Sequence, residues 1–237
     1  MQELDLYFNL LLFYVRKSPR IIQKPIQRQS QDTAQSQFPK IIESPDQTLA
    51  QKLLRFALNN GAKLGFEKSK EGNMIAVVSF ENTENLTEFL TQTCFLGDFV
   101  GHGSSILWGK SKPKQANCGE KKDGNLVGTY CAKEWIMVMF RALVGGINGK
   151  SPPSVNCIFN PVTQKFEVLE SYFGFSGTPA QEGYLYLFPQ EFSRQLKDNN
   201  GREIDEHLIE ESCVPYLVVR ITQDQFTNKF PIERIEN

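Results

Sequence analysis

The chain is short of histidine, with only His102 and His207 in 237 residues, so any chemistry that needs an imidazole must use one of these two. Charge of one sign is also missing. Lys and Arg number 26 against 27 Asp and Glu, so no net field favours nucleic acid or an anionic membrane, and only a local basic patch would serve such a partner. The five cysteines, Cys94, Cys118, Cys131, Cys157 and Cys213, are odd in number, far apart and without a Cys-x-x-Cys pair. That pattern favours free thiols in a reducing, cytoplasmic kind of compartment over a disulfide framework or a zinc site. Two histidines and scattered acids leave no ligand set for a catalytic metal, so no metal is expected. The chain has no Gly-x-x-x-x-Gly-Lys-Ser/Thr run and no Gly-x-Gly-x-x-Gly opening a helix, which removes the usual nucleotide loops. Long apolar runs are lacking too. Leu10-Leu11-Leu12-Phe13-Tyr14-Val15 falls far short of the ~20 residues that span a bilayer, and its flanks are wrong for a signal peptide.

What is present reads as short strands among few helices, and 40% hydrophobic residues are enough to bury a sizeable core. Residues 4 to 16 read as a helix packed on the body, with membrane-surface association as the alternative. From 18 to 44 the chain turns to Gln, Ser and Pro, as in a linker or a surface-hugging loop. Ser44-Pro45-Asp46 opens a helix that ends at Asn59-Asn60-Gly61, where glycine suits the left-handed cap. Ala62 to Phe66 and Met74 to Phe80 form a hairpin, and a helix from Glu84 to Thr93 is capped by Asn82 or Thr83. An apolar strand, Phe95 to Val100, then ends in the turn Gly101-His102-Gly103-Ser104-Ser105. Lys110 to Asn125 reads as an exposed loop, Val127 to Tyr130 as a strand, and Lys133 to Val144 as an apolar helix stopped by Gly145-Gly146. A hairpin over 154–159 and 165–170 follows, then a strand from Gly183 to Phe188 and a polar helix from Pro189 through Lys197. The last strand is Tyr216 to Ile221, entered through an acidic stretch. Without regular strand-helix-strand units, the class is α+β rather than a doubly wound sheet.

A side chain at the end of a strand is held firmly by the sheet, and flanking glycines let a ligand approach the backbone closely. The turn at His102 is therefore the first candidate site; otherwise it is a strand-to-loop turn with a solvated histidine. A thiol nucleophile paired with His102 is a second arrangement, using Cys118 or Cys131. The start of the apolar helix would favour thiolate at Cys131. A buried cysteine at such a junction more often serves as a small apolar residue.

A third arrangement rests on motif order. Gly101-His102-Gly103-Ser104, then Thr129-Tyr130-Cys131-Ala132 with Arg141-Ala142-Leu143, then Gly183 to Phe192, then Glu206 to Pro215 and Ile221 to Phe226 resemble the ADP-ribosyltransferase fold of the diphtheria-toxin and poly(ADP-ribose)-polymerase type. The resemblance covers roughly 95 to 226. It implies an α+β domain over 94–237 with a split, antiparallel-rich sheet. Ahead of it stand an N-terminal helix (1–17), a linker (18–44) and a helix-hairpin-helix extension (45–93). It implies NAD as substrate and a protein target, and it admits delivery as a secreted effector or toxin. By this resemblance His102 bonds a ribose hydroxyl, the Gly103 backbone grips the nicotinamide carboxamide beside Ser104, and Tyr130 stacks on the ring. A carboxylate near the anomeric carbon would stabilise the oxocarbenium-like state. Glu206 is its first candidate, with Glu210 and Glu211 behind it. Two departures stand out: Gly101 where the family pattern has Tyr, and Ala132 where a hydroxyl is usual. A silent binding protein on the same fold and a Cys-His hydrolase are the competing readings.

Overall fold

The computed structural model describes residues 47–95, 97–115, 126–144, 157–160, 162, 165–169, 179–197, 200–201, 203–230 and 232–235. The expected helix over 4–16, the 18–44 linker, the Ser44-Pro45 helix start and the Gly145-Gly146 stop lie outside the described residues.

Helix α1 (Gln47–Asn59) ends where Gly61 takes φ +85°, a left-handed turn that glycine adopts without steric cost. Strands β1 (Ala62–Lys68) and β2 (Met74–Phe80) form the expected antiparallel hairpin. Helix α2 (Thr83–Leu90) starts at Asn82, whose side chain accepts the amides of Glu84 and Asn85, and a π turn (Thr91–Phe95) follows it. Then come β3 (Phe99–Ser104), β4 (Lys114–Gln115), β5 (Val127–Cys131) and α3 (Trp135–Val144). The hairpin β6 (Cys157–Asn160) and β7 (Lys165–Leu169) precedes β8 (Glu182–Pro189), a 3-10 turn (Gln190–Phe192) and β9 (Arg194–Lys197). The described chain closes with β10 (Glu203–Ile209), β11 (Leu217–Thr222), α4 (Gln223–Thr227) and β12 (Ile232–Ile235).

The class is α+β. A five-stranded sheet runs β1-β2-β11-β8-β3, a four-stranded sheet runs β4-β5-β10-β9, and a three-stranded sheet runs β12-β7-β6. Most pairings are antiparallel; β2 with β11 and β7 with β12 are parallel. The first two sheets touch at an isolated bridge, where Gly101 and Ala132 exchange N–H···O bonds of 2.8 and 2.9 Å. The hairpin expected within the 45–93 extension belongs to the main sheet: β2 pairs with β11, and its two apolar faces are covered by the two cores.

Two cores lie on opposite faces of that sheet. Alternation along β8 sends Leu185 and Leu187 to one and Tyr186 and Phe188 to the other, all fully buried. The first core takes the apolar faces of α1, α2 and α3, with Phe140 and Leu143 wholly inside at about 1.5–3 kcal/mol each. The second is roofed by the segment after β3, including Leu107 and the partly buried Trp108.

Several local expectations change. The polar stretch after Pro189 is a 3-10 turn and a strand, because β10 offers β9 a hydrogen-bonding edge. The acidic stretch around Glu206 is itself a strand, held between β5 and β9. Chain closure over 221–226 is the end of β11 followed by α4, set by a capping box between Thr222 and Gln225. Within the loop expected over 110–125, Ser111 is buried and pairs with Cys213, and residues 114–115 form β4.

Candidate functional site

The glycine-histidine segment is strand rather than turn. Across β3 and β8, Gly101 pairs with Leu187, His102 with Tyr186 and Gly103 with Leu185. The glycines are required by helix α3, which crosses that face closely. A Cβ on Gly103 would stand 2.1 Å from the Val138 carbonyl oxygen and 2.6 Å from the Ala142 amide nitrogen. A Cβ on Gly101 would meet the Val138 side chain at 3.0 Å, and one on Gly183 of β8 would meet the Ala142 carbonyl oxygen at 2.5 Å. The missing aromatic at Gly101 is thereby explained: Val138 leaves no room for one.

His102 points to the other face. Its Nδ1 lies 2.7 Å from the Tyr130 carbonyl oxygen, which can only accept, so Nδ1 carries the proton. Burial holds the imidazole below its ordinary pKa, the Tyr130 bond opposes this, and Arg141 adds to the lowering, so the ring is neutral near pH 7. Nε2 is therefore the unprotonated nitrogen, an acceptor for a hydroxyl or N–H, on a residue that stays partly exposed. Two rings flank it, Trp108 at 5.8 Å and Tyr186 at 6.2 Å between centroids. What His102 meets of Tyr130 is the carbonyl. The Tyr130 hydroxyl donates to the Leu126 carbonyl at 3.2 Å, and Ser104 exchanges hydrogen bonds with the backbone of Ile106.

The three acids separate. His207 has Cys131 as its Cα partner on β5, so Glu206, one residue earlier, lies level with Ala132, which bridges to Gly101. Continuing that register past Cys131 sets Glu206 on the same face as Ala132 and Gly101, the side that α3 covers, whereas His102 points to the opposite face. Glu206 is partly buried. Glu210 is ion-paired with Arg194 at 2.9 Å on an exposed surface, and Glu211 sits in the β10–β11 loop with Oε2 buried.

The thiols are not primed. Burial raises Cys131 well above the ordinary thiol value, and its Sγ donates to the Thr129 carbonyl at 3.7 Å. Burial pushes Cys94 up to about 12 and Cys213 up to about 11. The helix start expected to favour thiolate at Cys131 is already served by Asp205, whose carboxylate accepts the amides of Lys133 and Glu134 at 2.9 and 2.7 Å. Cys118 lies outside the described residues.

His207 is sealed, at 1% exposure. Its Nδ1 is 3.2 Å from the Ser193 hydroxyl, whose proton goes to the Gln190 carbonyl at 2.7 Å, and its Nε2 sits 4.0 Å from Asp205. With no access for a substrate, Ser193, His207 and Asp205 form a structural link between strands. Among the described residues, no group of three His, Cys, Asp or Glu could hold a metal ion, and no helix is long and apolar enough to cross a membrane. Sequence reasoning missed Trp108, which belongs to no motif; its signal is an aromatic four residues beyond Ser104, within reach of the histidine. No protein-family model, curated protein or solved structure matches this chain.

Proposed function

We propose that the chain is an NAD-dependent ADP-ribosyltransferase acting on a protein target. The observation that carries this reading is His102 itself, an imidazole with Nδ1 bonded to the Tyr130 carbonyl and Nε2 left to accept, set beside the Trp108 ring. A split, antiparallel-rich sheet is what the motif order implies. His102 Nε2 accepts a ribose hydroxyl; the carboxylate that would meet the positive charge developing at the anomeric carbon is the role the motif order gives to Glu206. The bond from that carbon to nicotinamide breaks, and its electron pair leaves with the neutral ring. The acceptor nucleophile forms the new bond and loses its proton to solvent or to Glu206.

A second reading, a binding protein on the same scaffold, is favoured by one observation: Val138 fills the space of the aromatic that the motif carries at Gly101, and Ala132 offers no hydroxyl. Purified full chain incubated with tagged NAD and lysate separates the two. Transferase action predicts labelled protein and released nicotinamide, with turnover falling about 10²–10³-fold in Glu206→Gln while NAD still binds. Binding lost in His102→Ala, without labelling by wild type, establishes the second reading. Wild type that neither binds nor cleaves NAD sinks both.

A further inference from the structure

The segment that follows β3 is fastened over the second core through one residue, Tyr186. Its phenol is fully buried, donates to the Ile106 carbonyl at 2.8 Å and accepts the Trp108 amide at 3.0 Å. The Trp108 indole lies flat on the Tyr186 ring, 3.5 Å between centroids and 4° between planes. Leu107 is tied on its far side, its carbonyl accepting the Lys70 amide at 3.1 Å, and Ser111 pairs with Cys213. Trp108 is thus fixed in place before any ligand arrives. It is not a core tryptophan: Trp135, which is one, is 8% exposed, whereas Trp108 keeps part of its surface open.

Beside that surface stands an imidazole whose unprotonated nitrogen, Nε2, can only accept a hydrogen bond while the ring is neutral. A flat π surface next to a hydroxyl acceptor matches a nucleoside, whose base stacks while its ribose donates.

We infer that Trp108, held by Tyr186, is the stacking platform for the base of a nucleoside whose ribose hydroxyl is bonded by His102. This rests on the ribose reading of His102 proposed above, and it moves the stacking role from Tyr130 to a residue outside every motif. The Tyr130 hydroxyl donates to the Leu126 carbonyl just ahead of β5, and the contact His102 makes to Tyr130 is to the backbone.

The test uses the full chain carrying Trp135→Phe, so that Trp108 is the sole tryptophan and its fluorescence reports on itself. NAD should quench that emission in a saturable titration, and nicotinamide riboside or adenosine, tested apart, identifies which ring stacks. In the otherwise unaltered chain, Trp108→Leu should weaken NAD binding roughly 5- to 100-fold by calorimetry, and Trp108→Phe by less. NAD that binds in a His102-dependent way yet leaves the Trp108 emission unmoved overturns the platform and spares the transferase reading. Wild type that binds none of the three probes overturns both. The fluorescence arm leaves Trp108 in place, so a folding failure of Trp108→Leu cannot decide the outcome.

Discussion

Replacing Gly103 with alanine should destabilise the fold whether or not a ligand is present. The added Cβ would lie 2.1 Å from the Val138 carbonyl oxygen, 2.6 Å from the Ala142 nitrogen and 3.2 Å from the Ala142 Cα, against ordinary contact beginning near 3.4 Å. All three are main-chain atoms of α3, so no rotamer change relieves the clash; helix and sheet must part by more than an ångström. The helix cannot retreat freely, because Met139, Phe140, Ala142 and Leu143 are wholly buried in the first core and Gly183 on the neighbouring strand also meets Ala142. Overpacking costs about 1–3 kcal/mol, and a backbone clash belongs at the upper end. A loss of ~3 kcal/mol lowers the melting temperature of a chain this size by about 6–12 °C. Gly65→Ala is the control: Gly65 is exposed on β1, its nearest new neighbour is the Val77 carbonyl oxygen at 3.8 Å, and the change should stay within about 0.5 kcal/mol. Urea unfolding of both variants and wild type without NAD measures this. Gly103→Ala as stable as wild type, with only NAD binding lost, would refute the helix-packing argument and return the glycine to the ligand.

Stability should fall as pH drops below neutrality. Burial is the first cause lowering both His102 and His207, so the unfolded chain binds more protons; their contribution is fully present above about 6.5 and is lost as pH falls through the lowered native values. The urea midpoint should therefore drop between about pH 7.5 and 5.5, and His207→Gln should flatten part of that slope; a midpoint that rises on acidification contradicts the assignment. The native chain should also protect Cys94, Cys131 and Cys213 from iodoacetamide at about pH 8, all three being alkylated once urea unfolds it. Mass spectrometry that finds native Cys131 modified as fast as a free thiol would revive a nucleophile there.

What lay within a few residues was legible. Gly61 after an apolar helical face, Asn82 ahead of Thr83 and the hairpin about 67–73 each carry their cause in the local chain, and each stands where it was expected. The wrong readings were those whose cause lies elsewhere. The acidic segment from Glu206 to Pro215 gave no strand signal, yet Glu206 to Ile209 are strand, because a strand's hydrogen bonds come from its neighbours and β5 lies about seventy residues earlier. Glu134 caps helix α3 by accepting the Ile136 amide, but the amides of Lys133 and Glu134 just ahead of the helix go to Asp205, about seventy residues on.

By itself, then, the sequence determined the α+β class, the helices and strands with strong periodicity or caps, and thiols without a disulfide pattern, since propensity and spacing act over a few residues. Only the tertiary structure decided why Gly101 and Gly103 are glycine, which nitrogen of His102 is left to accept, that Glu206 lies within a strand, and that Trp108 lies on Tyr186. Those features depend on how closely α3 crosses the sheet and which strands it joins, distances that no local pattern encodes.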